Sequence, residues 1–254
     1  MNRLLSRWLE FSVRTEDVIE SLAFYKALGF VELETGETWS HRYAVVSDGD
    51  ISIGLHEREF DAPALTFVQM DLAKQARQLT DGGFDFSFMR LDEDVFNELG
   101  FRDRDKHQVT VVEARTFSLA PEAPEDSLCG RFFELTLPVR DVMRAAHFWA
   151  PFAPTILSMR EEPTPHMRFE AGELPLALSE SIALEGPSLC FKCPDRDAVN
   201  SAIARHGLEC EKFPGFEGAF AVLTSPEGTR LYLFDADFLG EGIEVAESEA
   251  DAGD

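Results

Sequence analysis

Positive charge is scarce in this sequence: 23 lysines and arginines stand against 47 aspartates and glutamates in 254 residues, a formal net charge of −24. Nucleic acid and anionic membrane both need a positive surface, so neither is an expected partner. No apolar run approaches the ~20 residues that cross a bilayer, and the start of the chain lacks the apolar stretch of a secretory leader; the expected location is the cytoplasm. Cysteine occurs only at Cys129, Cys190, Cys193 and Cys210, too sparsely for a disulfide framework in a chain this long. Cys190-Phe-Lys-Cys193 has the spacing of a redox or zinc pair. In a strand, however, that spacing sends the two sulfurs to opposite faces, so small buried thiols are expected. Tryptophan and tyrosine are rare, three of each beside 22 phenylalanines, which suits interior walls that need bulk without a hydrogen-bonding group. Nucleophile motifs, glycine-rich phosphate loops and paired-aspartate phosphotransfer signatures are missing too; Asp81-Gly-Gly83 is a helix stop.

What the chain does contain is a long repeat. Glu10-Phe-Ser-Val-Arg-Thr-Glu-Asp17 runs into an amphipathic helical pattern that includes Phe24 and Tyr25, and Glu134-Leu-Thr-Leu-Pro-Val-Arg-Asp141 runs into one that includes Phe148 and Trp149. Glu10 and Glu134, Asp17 and Asp141, and Phe24 and Phe148 share one offset of 124 residues, the size of a duplicated domain. Each half divides again. A strand around Leu9, Phe11 and Val13 leads through an acidic cap at Asp17 into a helix that closes at Gly29, and strands follow near 31–34, 43–47 and 51–56. A second unit restarts at 65–71, with a helix at 72–80 and a last strand at 108–114. The third unit has a strand at 132–139, a helix at 142–149 and strands near 167–170 and 174–179. The fourth has a strand at 188–193, a helix at 196–206 and strands at 220–224 and 230–234.

Four βαβββ modules in two domains result, at residues 1–120 and 130–240. The proline-rich, acidic stretch at 121–126 serves as their linker. The acidic end at 241–254 cannot bury enough apolar surface to fold and is expected to be a disordered tail.

The residues 10–30, with Ser21-Leu-Ala-Phe24-Tyr25 and Leu28-Gly29-Phe30, resemble the opening module of the vicinal oxygen chelate superfamily. That group includes glyoxalase, the extradiol ring-cleaving dioxygenases and the bleomycin and fosfomycin resistance proteins. Thr224-Ser-Pro-Glu-Gly228-Thr-Arg-Leu231-Tyr232-Leu233 is similar to its closing motif, and the resemblance spans residues 8–238. It implies an α+β fold in which two modules per domain wrap their sheets into a cupped, incomplete β-barrel. It also implies a divalent metal held by His and Glu from the first and last strands of the modules.

Carried over residue by residue, that ligand set is depleted. Alternation places Leu9, Phe11 and Val13 toward the helix and Trp8, Glu10 and Ser12 toward the cup, with Glu10 at a ligand position. Glu134 takes the equivalent place in the third module. The remaining positions offer Ala64 or Thr66, Ser188, Thr110 and Tyr232 where His and Glu would stand. Ser52, Gly54 and His56 share the cup face of their strand, so His56 is expected to reach Glu10; Ser179 is its counterpart. Glu10 and Glu134 are the candidate acid–base groups, and Trp8, Ser12, His56, Thr110 and Tyr232 the candidate ligand-binding residues. Glu10 and His56 form at most a weak, degenerate metal site.

Three readings stay open. The first is a glyoxalase-like protein that binds a small, largely apolar molecule with no cofactor. The second is a lyase, isomerase or dioxygenase that uses a divalent ion at Glu10 and His56. In the third, one domain has become structural and serves pairing, including pairing into a homodimer.

Overall fold

The computed structural model describes residues 4–35, 41–92, 97–114, 127–152, 155–193, 196–211 and 220–235. The expected linker at 121–126 and the expected tail at 241–254 lie outside them. In the first half, β1 (Arg7–Arg14), α1 (Val18–Ala27), β2 (Val31–Leu33), β3 (Tyr43–Ser47) and β4 (Ser52–His56) are followed by β5 (Ala64–Gln69), α2 (Leu72–Asp81), β6 (Phe88–Arg90), β7 (Glu98–Arg102) and β8 (Gln108–Glu113). In the second, β9 (Arg131–Pro138), α3 (Val142–Trp149), β10 (Thr155–Arg160), β11 (His166–Ala171) and β12 (Leu174–Ser179) are followed by β13 (Ser188–Cys193), α4 (Arg196–Arg205), β14 (Cys210–Glu211), β15 (Phe220–Thr224) and β16 (Arg230–Asp235). The α+β architecture of four βαβββ modules is therefore present. Strands β6, β7, β10 and β14 were not expected from the pattern. Three of them lie at sheet edges, and Gly100 interrupts β7, so none carries a full apolar alternation.

Two eight-stranded mixed sheets result, ordered β2-β3-β4-β1-β5-β8-β7-β6 and β10-β11-β12-β9-β13-β16-β15-β14. Neither closes into a barrel. Consecutive modules join within the chain, β1 antiparallel to β5 and β9 antiparallel to β13. Inside each module the first and last strands run parallel, as in Ser12 opposite Gly54 and Thr136 opposite Ala177. No helix among the described residues is long and apolar enough to cross a membrane.

Local chemistry fixes the helix starts. The Asp17 carboxylate accepts from the amides of Ile19 and Glu20, and Asp141 caps α3 through the amide of Arg144, satisfying donors that a first turn leaves open. Asp71 makes no such cap; Glu113 at the end of β8 reaches the Leu72 amide instead, at 2.9 Å.

One hydrophobic core runs continuously from the first half into the second. Phe30 meets Phe191 edge-on, and Phe101 stacks on Phe152 with centroids 5.2 Å apart. Polar clasps flank it. Glu227, in the turn before β16, accepts from Tyr25 Oη at 2.6 Å and Ser21 Oγ at 2.9 Å. In the β7–β8 turn, Asp103 accepts from His107 at 2.8 Å and from Trp149 Nε1 at 3.3 Å. His107 is thus buried and partnered, although its turn is built of charged residues. With the apolar faces turned toward this shared core, the opposite face of each sheet forms a cup.

Candidate functional site

The floor of the first cup is centred on Glu10, only 2% exposed. Three donors converge on its carboxylate. Ser12 Oγ reaches Oε1 at 2.7 Å, His56 Nε2 lies 2.8 Å from the same oxygen, and the Tyr43 hydroxyl closes on Oε2. Ser12 spends its proton on Glu10, so Thr66, 2.7 Å away, is the donor to Ser12. On the outer side, His56 Nδ1 is 3.0 Å from His41 Nε2. Glu10, His56 and His41 therefore form one line of proton-carrying groups leading outward. Burial, then the neighbouring His56 and Arg58, hold His41 down at about 4, so it is neutral near pH 7.

The backbone makes room for this arrangement at one position. A Cβ on Gly54 would lie 2.2 Å from Glu10 Cδ, so the carboxylate occupies the space a side chain would need. Beside the floor opens a cleft of about 460 Å³, lined by Arg58, Phe60, Phe88, Arg90, Gln108 and Thr110, with Glu59, Asp61 and Glu98; Glu10, Ser12, Tyr43 and His56 are not part of this lining. The Phe60 ring touches His56, at 5.4 Å between centroids. Arg58 lies over Phe60 and Arg90 over Phe88, while Arg90 also pairs with Glu98 at 2.5 Å. This lining is far more polar than the apolar cup expected from sequence.

The structure brings Glu10, Ser12 and His56 together as alternation implied, and Thr110 lines the cleft. Trp8 does not join them. A β-bulge between Trp8 and Glu10 inserts Leu9 as an extra residue opposite β5, which breaks the alternation. Trp8 is turned to the core face, edge-on to Phe67 at 5.2 Å. The same bulge recurs at Phe133 in β9 and turns Phe132 onto Phe191.

The second cup is built from the same positions with different chemistry. Glu134 is held by Thr136 Oγ1 at 2.9 Å, by His166 Nε2 at 3.3 Å and by Arg168 Nε at 3.8 Å. Burial opposes ionisation of Glu134, but these partners outweigh it and hold the carboxyl below the usual range. The deeper part is filled by Cys190, Phe220, Val222 and Tyr232, packed against Phe133, Leu184 and Phe234. Tyr232, expected as a ligand-facing ring, is a member of that plug and donates its hydroxyl to the Ala183 carbonyl at 2.8 Å. Cys190 belongs to the plug and Cys193 to the main core, on opposite faces as the strand spacing implied.

Tyr43, His41 and His166 escaped the sequence reading. Two of them were within reach of hairpin arithmetic. β3 and β4 pair Ser47 with Ser52, and counting outward puts Tyr43 opposite His56. β11 and β12 likewise pair His166 with Ser179. The histidine has changed strands between the halves: His56 corresponds to Ser179, and Tyr43 to His166. His41 precedes β3 in a segment with no periodic signal.

The donor set at the strand positions where the superfamily holds its metal is one carboxylate with hydroxyls: Glu10, Thr66 and Thr110 in one cup, Glu134, Ser188 and Tyr232 in the other. A divalent site needs about three carboxylate, imidazole or thiolate ligands, and this set does not fit one. His56 and Glu10 are hydrogen-bonded to each other rather than arranged around a common point. Among the described residues no group of three or more His, Cys, Asp and Glu side chains could hold a metal ion.

No protein-family model and no curated protein matches the sequence. Solved structures do match. A catechol 2,3-dioxygenase aligns with a TM-score of 0.59 at 13% identity, over 89% of this chain and 86% of that one. A variant of homoprotocatechuate 2,3-dioxygenase from Brevibacterium fuscum aligns with a TM-score of 0.61 at 14% identity, over 96% of this chain and 73% of that one. The fold is that of these dioxygenases.

Proposed function

We propose that the first cup is a small-molecule binding site that works without a divalent ion at the superfamily's positions, with Glu10 as its central acceptor. The observation that carries this reading is the convergence of Ser12, Tyr43 and His56 on one buried carboxylate beside an open cleft, whose wall residue Phe60 touches His56. A metal ligand needs its lone pairs directed at the ion; here three of the roughly four acceptor positions of the carboxylate are taken by Ser12, His56 and Tyr43, which leaves one, on Oε2, for a bound molecule. The plugged second cup supports the same assignment, because it leaves the first as the chamber with space. In this reading the deep part of the second half has become structural.

The cleft favours a ligand with a planar face and polar edges. Phe60 and Phe88 offer rings, while Thr110 and Gln108 offer hydrogen-bonding groups near the floor. Catechol has this character and is the apt probe, given the dioxygenases that share the fold. We expect catechol to bind the purified protein, with affinity falling about tenfold in Glu10→Gln, the worth of a charge-assisted hydrogen bond. No ring-opened product should form, with or without added ferrous ion. Equal binding by wild type and Glu10→Gln would remove Glu10 from the site. Ring opening with added iron would restore the metal-dependent reading.

A second reading rests on the line of Glu10, His56 and His41. Such a chain can draw a proton from a bound ligand and pass it outward, with Glu10 stabilising the imidazolium that forms on His56. Loss of turnover in His56→Gln with ligand binding retained would favour this acid–base role; equal loss of both would not.

A further inference from the structure

We propose that the rim of the second cup binds a small oxyanion, a carboxylate or a phosphate, between Arg160 and Arg168. This site is separate from the first cup and does not depend on its function.

Arg160 carries the argument. Its side chain is partly buried, its Nε is fully covered, and that nitrogen has no hydrogen-bond partner among the described residues. No carboxylate among them is paired with the guanidinium. A covered guanidinium nitrogen without an acceptor is costly, so such an atom is normally matched. Strand pairing then shows what surrounds it. Arg160 stands directly across from His166, and Arg168 lies two residues further along β11, opposite Ser158. These side chains share the cup face, since Met167 and Phe169 between them belong to the core.

Arg168 is also incompletely used. It donates through one terminal nitrogen to the Phe133 carbonyl, and its covered Nε, 3.8 Å from Glu134, makes no hydrogen bond. Glu134 thus faces the Arg168 guanidinium and the His166 imidazole. Glu170, further along the same face, is exposed and paired across the strand with Thr155.

The chemical class follows from the geometry of the donors. Planar guanidinium forks match the paired oxygens of carboxylates and phosphates. The plug formed by Cys190, Phe220, Val222 and Tyr232 blocks the depth of the cup. Only a small anion, or the anionic end of a larger molecule, fits at the rim.

The test reads the arginine Nε–H signals by NMR while inorganic phosphate or benzoate is added, against chloride at matched ionic strength. We expect saturable, millimolar-range shifts confined to Arg160 and Arg168. Affinity should fall about tenfold in Arg160→Gln and stay unchanged in Arg14→Gln, where the arginine lies outside this cup. Preference between the two probes separates a phosphate-type from a carboxylate-type ligand. Shifts that never saturate, that chloride reproduces, or that persist at equal affinity in Arg160→Gln would overturn the proposal. Should Arg160→Gln fail to fold, the wild-type titration decides alone: unmoved Arg160 and Arg168 signals would overturn it.

Discussion

At the scale of single residues, Gly54 and Asp48 show how closely side chains and backbone are matched around the first cup. Gly54 leaves the space in which the Glu10 carboxylate lies, and its counterpart Ala177 marks how the second cup differs. Gly54→Ala should therefore displace Glu10, lower stability by about 1–3 kcal/mol and weaken catechol binding. A melting curve and a binding titration check both; unchanged binding would mean the carboxylate does not need that position. Asp48 sits in the β3–β4 turn and accepts from the amides of Asp50 and Ile51. Burial raises its carboxyl to about 6, with those two hydrogen bonds working against the shift. A folded-state value above the unfolded one means the folded protein holds this proton more tightly. Its contribution is present at low pH and lost as pH rises through about 6. Asp48→Asn keeps the acceptor and removes the buried charge. It should stabilise the protein at pH 7.5 by about 1–2 kcal/mol, with the gain vanishing near pH 4 in parallel denaturant titrations.

At the scale of elements, most of the architecture was legible in the sequence and two features were not. The helices were readable because Asp17 and Asp141 cap them and apolar periodicity carries them. The central strands were readable because both of their faces are specified. The bulges at Leu9 and Phe133 were not, because an inserted residue leaves composition and pattern intact while reversing every side chain before it. Trp8 was misplaced for that reason alone. The edge strands β10 and β14 bury too little to show alternation. The β7–β8 hairpin was also unread: its charged turn looks solvated, yet Asp103 holds His107 and Trp149 beneath the second half. Asp103→Ala should strand both donors and cost about 2–3 kcal/mol, seen as a lower denaturation midpoint. A loss below about 0.5 kcal/mol would show that the turn is solvated after all.

At the scale of the whole molecule, the duplication explains the scaffold and the divergence of the two cups explains the chemistry. The 124-residue offset was visible because it preserves strand, cap and helix together. The cup chemistry was only half visible. Glu10, Ser12 and His56 could be placed by alternation, whereas Tyr43 and His166 required strand register, and the plug around Tyr232 required three strands at once. The outcome is two cups on one plan, one lined with hydroxyls and imidazoles beside a cleft, the other filled with rings and bordered by Arg160 and Arg168.

The central claim is that Glu10 serves as a hydrogen-bond acceptor in a ligand cup and not as a metal ligand. Calorimetric titration of chelator-treated protein with manganese, ferrous and zinc ions, for wild type and Glu10→Gln, tests it most directly. Both forms should melt within a few degrees of each other, a difference of about 1 kcal/mol at most. Neither should show a micromolar site that depends on residue 10. One equivalent of ion bound per chain in wild type and lost in Glu10→Gln would contradict the account.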